Sequence, residues 1–61
     1  MMVFKDLNGN IILDGCDEKV SPNLGDKVTI NKVKYVVTDV EIQLNTSGRF
    51  ENIIVTVNKY N

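Results

Sequence analysis

Residues 22–44 constrain the fold more than any other stretch. They read Pro22-Asn23-Leu24-Gly25-Asp26-Lys27-Val28-Thr29-Ile30, a short Asn31-Lys32 break, then Val33-Lys34-Tyr35-Val36-Val37 and a further alternating run to Leu44. A polar turn built on Pro and Gly feeds two runs rich in β-branched and aromatic residues, the pattern of adjacent strands in an antiparallel sheet. The run from Val33 to Leu44 also changes phase. Val33, Tyr35 and Val37 hold odd positions, whereas Val36, Val40, Ile42 and Leu44 hold even ones. Side chains alternate strictly along a strand, so a flat strand cannot switch its buried face. A bulge or bend near Thr38-Asp39 is therefore predicted. Twelve extended residues reach roughly 40 Å, too long for a compact domain of this size, so the run is expected to bend and serve two halves of a barrel.

The remaining segments agree with an all-β reading. Val3-Phe4-Lys5 and Ile11-Ile12-Leu13 flank Asp6-Leu7-Asn8-Gly9-Asn10, and Asn-Gly between apolar runs signals a hairpin. A two-residue turn at Asn8-Gly9 pairs Phe4 with Leu13. A type I turn starting at Asp6, with Gly9 left-handed, pairs Phe4 with Ile12 and Val3 with Leu13, and this register is favoured because it sets apolar against apolar on both faces. Asp14-Gly15 is expected to close the hairpin, leaving Cys16 to Gly25 as a polar connection. Asn45-Thr46-Ser47-Gly48-Arg49 is a turn, and Ile53, Val55 and Val57 alternate with polar residues in a final strand. The prediction is a single domain over residues 1–61: a small five-stranded, partly open antiparallel barrel of the SH3-like or oligonucleotide-binding (OB-like) type, with an N-terminal β-hairpin.

Size and composition narrow the chemistry. A chain of 61 residues hides only about 60% of the surface it exposes when unfolded, so a lone monomer is marginally stable. Disulfides, metals or self-association commonly compensate. Cys16 has no partner cysteine and the chain has no His, which argues against a disulfide framework and a structural zinc site. A homo-oligomer is the remaining remedy. The single cysteine, the lack of a leader-like segment and apolar runs of at most three residues point to a cytoplasmic protein that does not cross a membrane. A net charge of −1 and a pI near 5.1 disfavour general nucleic-acid binding.

Catalytic residue types are sparse. Without His the usual base is missing, and Asp17 and Glu18 beside Cys16 should raise its thiol pKa. Asp6, Asn8, Asn10, Asp14 and Asp17 fall at calcium-loop spacing, but Ile11 occupies the position that needs Gly, so turn formation explains them better. No catalytic residue, metal or cofactor is implied. The cations Lys27, Lys32 and Lys34 cluster with Tyr35 around the central hairpin, and Arg49 lies in a later turn. Lys32, Lys34, Tyr35 and Arg49 are the candidate ligand-binding set, since cations with an aromatic face hold phosphates and stack bases. Lysines beside a turn also protect an edge strand from sheet-to-sheet pairing. Ile54, apolar on the polar side of the last strand, and Tyr60 are candidate interface residues.

The Pro22-x-x-Gly25-Asp26-x-Val28-x-Ile30 entry, Tyr35-Val36-Val37 and the Ile53-x-Val55-x-Val57 strand resemble small SH3-like β-barrel accessory proteins encoded by bacteriophages and other mobile elements. The resemblance covers residues 22–58 and its matched positions are scaffold positions. It implies an accessory role in the host cytoplasm, in virion assembly or counter-defence. The functional expectation is a non-enzymatic binding protein acting through a protein- or ligand-binding surface on a host protein. Two further readings stand beside it, an oligomeric sponge for an anionic cyclic nucleotide and a single-stranded nucleic-acid module.

Overall fold

A computed structural model describes residues 1–16 and 21–60, with the side chains of Cys16 and Phe50 left undescribed. Five strands form: β1 (Met2–Lys5), β2 (Ile11–Cys16), β3 (Lys27–Ile30), β4 (Val33–Leu44) and β5 (Phe50–Lys59). They make one open sheet in the order β2-β1-β5-β4-β3, curled as a half-barrel, with β2 and β3 at its two edges. Asp17 and Glu18, in the polar connection and at the end of the calcium-like spacing, lie outside the described residues.

The turns follow from local chemistry. In the first, the Gly9 amide donates to the Asp6 carbonyl at 3.1 Å and the Asp6 amide to the Asn10 carbonyl at 2.9 Å, with Gly9 at φ 86°. This is the turn expected from Asp6, with the left-handed site filled by the residue that has no Cβ to clash. Beyond it the register departs from expectation. Lys5 faces Ile11, but Phe4 faces Leu13 and Met2 faces Cys16, with an irregularity at each step. Phe4 therefore meets Leu13 rather than Ile12, and β2 runs through Asp14-Gly15 instead of closing there. Between β3 and β4 the two-residue turn puts both Asn31 (φ 51°) and Lys32 (φ 69°) in the left-handed region, the geometry whose twist matches paired strands.

The phase switch in β4 has the predicted cause. Val37 pairs with Val57 and Asp39 with Thr56, so Thr38 is an extra residue on β4. Its hydroxyl donates to the Thr56 carbonyl at 3.2 Å. Val37 before the bulge is buried and Val40 after it packs against the core. A second bulge between Gln43 and Leu44 adds a residue to β5 instead.

Two expectations are corrected. The sheet is mixed, because β1 and β5 run parallel, with Val3 opposite Ile54 and Phe4 opposite Val55. Hairpin signals set the direction of consecutive strands only. The relation of β5 to β1 depends on which way the chain enters β3, and residues 16–26 carry no periodicity that encodes it. The long run does not fold into a compact body either. The molecule measures 41 × 22 × 19 Å, close to the length of its twelve-residue strand, and the β4–β5 ribbon projects beyond the core.

The core lies on the inner face at the other end: Met2, Phe4, Tyr35, Val37, Val55 and Val57 are buried, with Ile12, Val28, Ile30, Val40 and Ile53 packed against them. Domains ordinarily close such a face with a second layer or by barrel closure. Here the described residues form a single layer.

Candidate functional site

The four candidate ligand residues do not converge within one chain. Lys34 and Tyr35 are consecutive in β4 and so point to opposite faces: Lys34 is exposed on the outer face, while Tyr35 is buried on the inner one. Lys32 stands in the β3–β4 turn. Arg49 stands in the β4–β5 turn, separated from Lys32 by the whole of β4, roughly 40 Å of extended chain. Alternation separates Lys34 from Tyr35, and the length of the ribbon separates Lys32 from Arg49.

On the outer face Lys34 acquires a different aromatic neighbour. The Tyr60 amide donates to the Lys34 carbonyl at 3.1 Å, and the Lys27 ammonium lies 5.1 Å from the centre of the Tyr60 ring, within cation–π range. Thr29 pairs with Lys34 on its other side. Tyr60, a candidate interface residue, thus lies beside Lys27 and is backbone-paired with Lys34.

On the inner face Tyr35 is flanked by Val28 and by Lys59. These meet the first turn across a groove of about 310 Å³, lined by Asp6, Leu7, Asn8, Ile12, Tyr35, Asn58 and Lys59. Asp6 is committed to its own turn. Its Oδ1 accepts the Asn8 and Asn10 amides at 2.9 Å each and its Oδ2 the Asn10 side-chain amide at 3.2 Å. These donors, the Asn10 backbone amide foremost and Asn8 and Gly9 adding, hold the carboxyl below its ordinary value against an opposing desolvation effect. Tyr35 is only 8% exposed, yet its hydroxyl has no hydrogen-bond partner among the described residues and is not sealed from solvent. That Lys59 faces Tyr35 is not visible in the sequence, because the pairing depends on the bulged β4–β5 register.

Ile54 sits half-buried on the outer face, between Val3 and Glu41. The most open apolar residues are Leu24, Ile11 and Leu7, and Ile42 and Leu44 follow. Ile42 is 61% and Leu44 59% exposed, on the inner face of the projecting ribbon, continuing the line of Val40 and beside Ile53. Both hold even positions that were expected to be covered by a second half of the barrel.

Among the described residues no group of three or more Cys, Asp or Glu is placed to hold a metal ion, and no helix is long and apolar enough to cross a membrane. Comparison with family models, curated proteins and solved structures gives no match to this chain.

Proposed function

We propose that the protein is a non-enzymatic binding protein whose working unit forms when a second copy of the chain covers the apolar strip at Ile42 and Leu44. The carrying observation is that the inner, core-forming face continues past the core and stays uncovered there. Area arithmetic supports a partner. The chain exposes 4482 Å², whereas a folded monomer of its mass exposes about 4000 Å². The excess, roughly 500 Å², is smaller than the ~800 Å² that each partner covers in a standard interface and fits a small contact. A second copy suits the strip because identical twisted sheets pack face to face through their apolar sides, and the chain has few other means of completing a marginal core.

The accessory role in virion assembly or counter-defence belongs to this proposal, resting on the scaffold resemblance, and so does a cytoplasmic setting, resting on the lone Cys16. Kinship with SH3-like or OB-like barrels draws support from five strands in one open sheet, while the parallel β1–β5 pair counts against it. Nucleotide or single-strand binding draws its support from the outer patch of Lys27, Lys34 and Tyr60, whose ring and charges suit a stacked base and phosphate.

Sedimentation velocity of the full chain across the micromolar range tests the leading reading. A dimer or larger species that dissociates on dilution is expected. One monomeric species at every concentration would overturn it.

A further inference from the structure

We propose, building on the self-association described above, that the second copy covers Ile42 and Leu44 with the groove end of its own inner face. The two chains then stack in opposite directions, and each ribbon seats in the other's groove. The open apolar side chains lie where this requires. Ile42 and Leu44 stand at one end of the inner face, 61% and 59% exposed. Leu7, 62% exposed, stands at the other end and lines the groove with Ile12 and Tyr35. A two-fold axis that reverses the chains covers both ends at once, strip on groove and groove on strip. Stacking strip on strip instead leaves Leu7 and the groove open in each copy.

Area, volume and charge favour the reversed arrangement. A buried aromatic side chain contributes about 150–250 Å². Two smaller aliphatic ones, each about three-fifths exposed, therefore offer at most roughly 250 Å². That is about half of the roughly 500 Å² by which the chain exceeds a folded monomer of its mass, and far below the ~800 Å² of a standard interface. The groove end adds Leu7 and the groove walls to the contact. Its volume, about 310 Å³, accommodates an aliphatic side chain, since an apolar cavity of about 150 Å³ takes up benzene. Such a side chain is uncharged and so is not repelled by Asp6, whose carboxylate is engaged within its own turn. The charges of β5 agree. Glu51 lies at the ribbon end of this strand and Lys59 at its groove end. Reversed stacking brings Glu51 of each copy toward Lys59 of the other, whereas strip on strip brings like charges together, Glu51 toward Glu51 and Arg49 toward Arg49.

Sedimentation equilibrium of the full chain and of Leu7→Asn, Ile42→Asn and Leu24→Asn tests the arrangement. Leu7 and Ile42 are exposed in the single chain, and the backbone hydrogen bonds of the first turn are made by Asp6, Gly9 and Asn10. Each variant should therefore keep the parent's urea midpoint when diluted. The parent is expected to form dimers and to stop there. Leu7→Asn and Ile42→Asn should each weaken the dimer about tenfold or more. Leu24, 70% exposed but in neither the strip nor the groove lining, should tolerate the same change within a few-fold. Mixing Leu7→Asn with Ile42→Asn leaves one strip and one groove intact and gathers both changes in a single contact, where the second costs little. The mixture should associate about tenfold more tightly than either variant by itself. A parent that associates while Leu7→Asn matches it overturns the reversed arrangement alone, as does a mixture no tighter than its components. Growth past the dimer overturns the two-fold closure. A parent that stays monomeric overturns the self-association as well.

Discussion

Truncating Ile42 should weaken self-association far more than it weakens the fold. Ile42 is 61% exposed in the single chain, so most of its side chain is free to be covered by a partner. Fully burying an isoleucine contributes about 1.5–3 kcal/mol, and covering the exposed share therefore contributes about 1–2 kcal/mol per copy. A two-fold symmetric contact uses the residue twice, which gives about 2–3.5 kcal/mol per dimer. At 1.4 kcal/mol per factor of ten, Ile42→Ala raises the dissociation constant by about 30- to 300-fold. Because little of Ile42 is covered in the monomer, the urea midpoint of diluted protein should move little. Sedimentation equilibrium on parent and variant reads the first effect, and circular dichroism in urea at low concentration reads the second. Association unchanged by Ile42→Ala would refute the reasoning, as would a variant that loses association only because it has unfolded.

Other outcomes follow from the fold itself. Val57→Ala removes two buried methyl groups from a residue with 0% exposure and should cost about 2–3 kcal/mol including the cavity, read as a lower urea midpoint; an unchanged midpoint would mean the inner face is not a packed core. Lys32→Gly relieves a left-handed turn residue at φ 69° and should stabilise by up to about 1 kcal/mol, whereas destabilisation would contradict the turn geometry. Asp6 has a folded pKa below its ordinary 3.8; its stabilisation of the first turn is therefore complete above that value and lost as pH falls through the lower, folded pKa. Amide shifts of Asn8 and Asn10 should titrate together below pH 3.8, and a midpoint above it would contradict the hydrogen bonds seen there.

What the sequence reveals depends on whether neighbouring residues differ in chemistry. The Thr38 bulge is legible because the apolar residues change from odd to even positions around it. The first turn is legible because Asp6 and Gly9 each suit one position in it. The register beyond that turn is not, since Ile11, Ile12 and Leu13 are all apolar and no alternation distinguishes one slip from the next. The parallel β1–β5 pair has no local signature, because it depends on an aperiodic connection. Alternation also says which face Ile42 and Leu44 share, but not whether anything covers that face. The Tyr35–Lys59 pairing behind the groove is set jointly by the bulge at Thr38 and the second one near Leu44, and only the first shows in the sequence.

The most direct test of the account is an isotope-filtered NMR experiment on mixed copies, one carrying labelled methyl groups and one unlabelled, at a concentration where the protein associates. Intermolecular contacts should appear at the methyl groups of Ile42, Leu44 and Ile53, and be absent from those of Val3 and Ile54 on the outer face. Contacts confined to Ile54 and Val3, or no intermolecular contact in a protein that stays monomeric, would contradict the claim that a second copy covers the open strip.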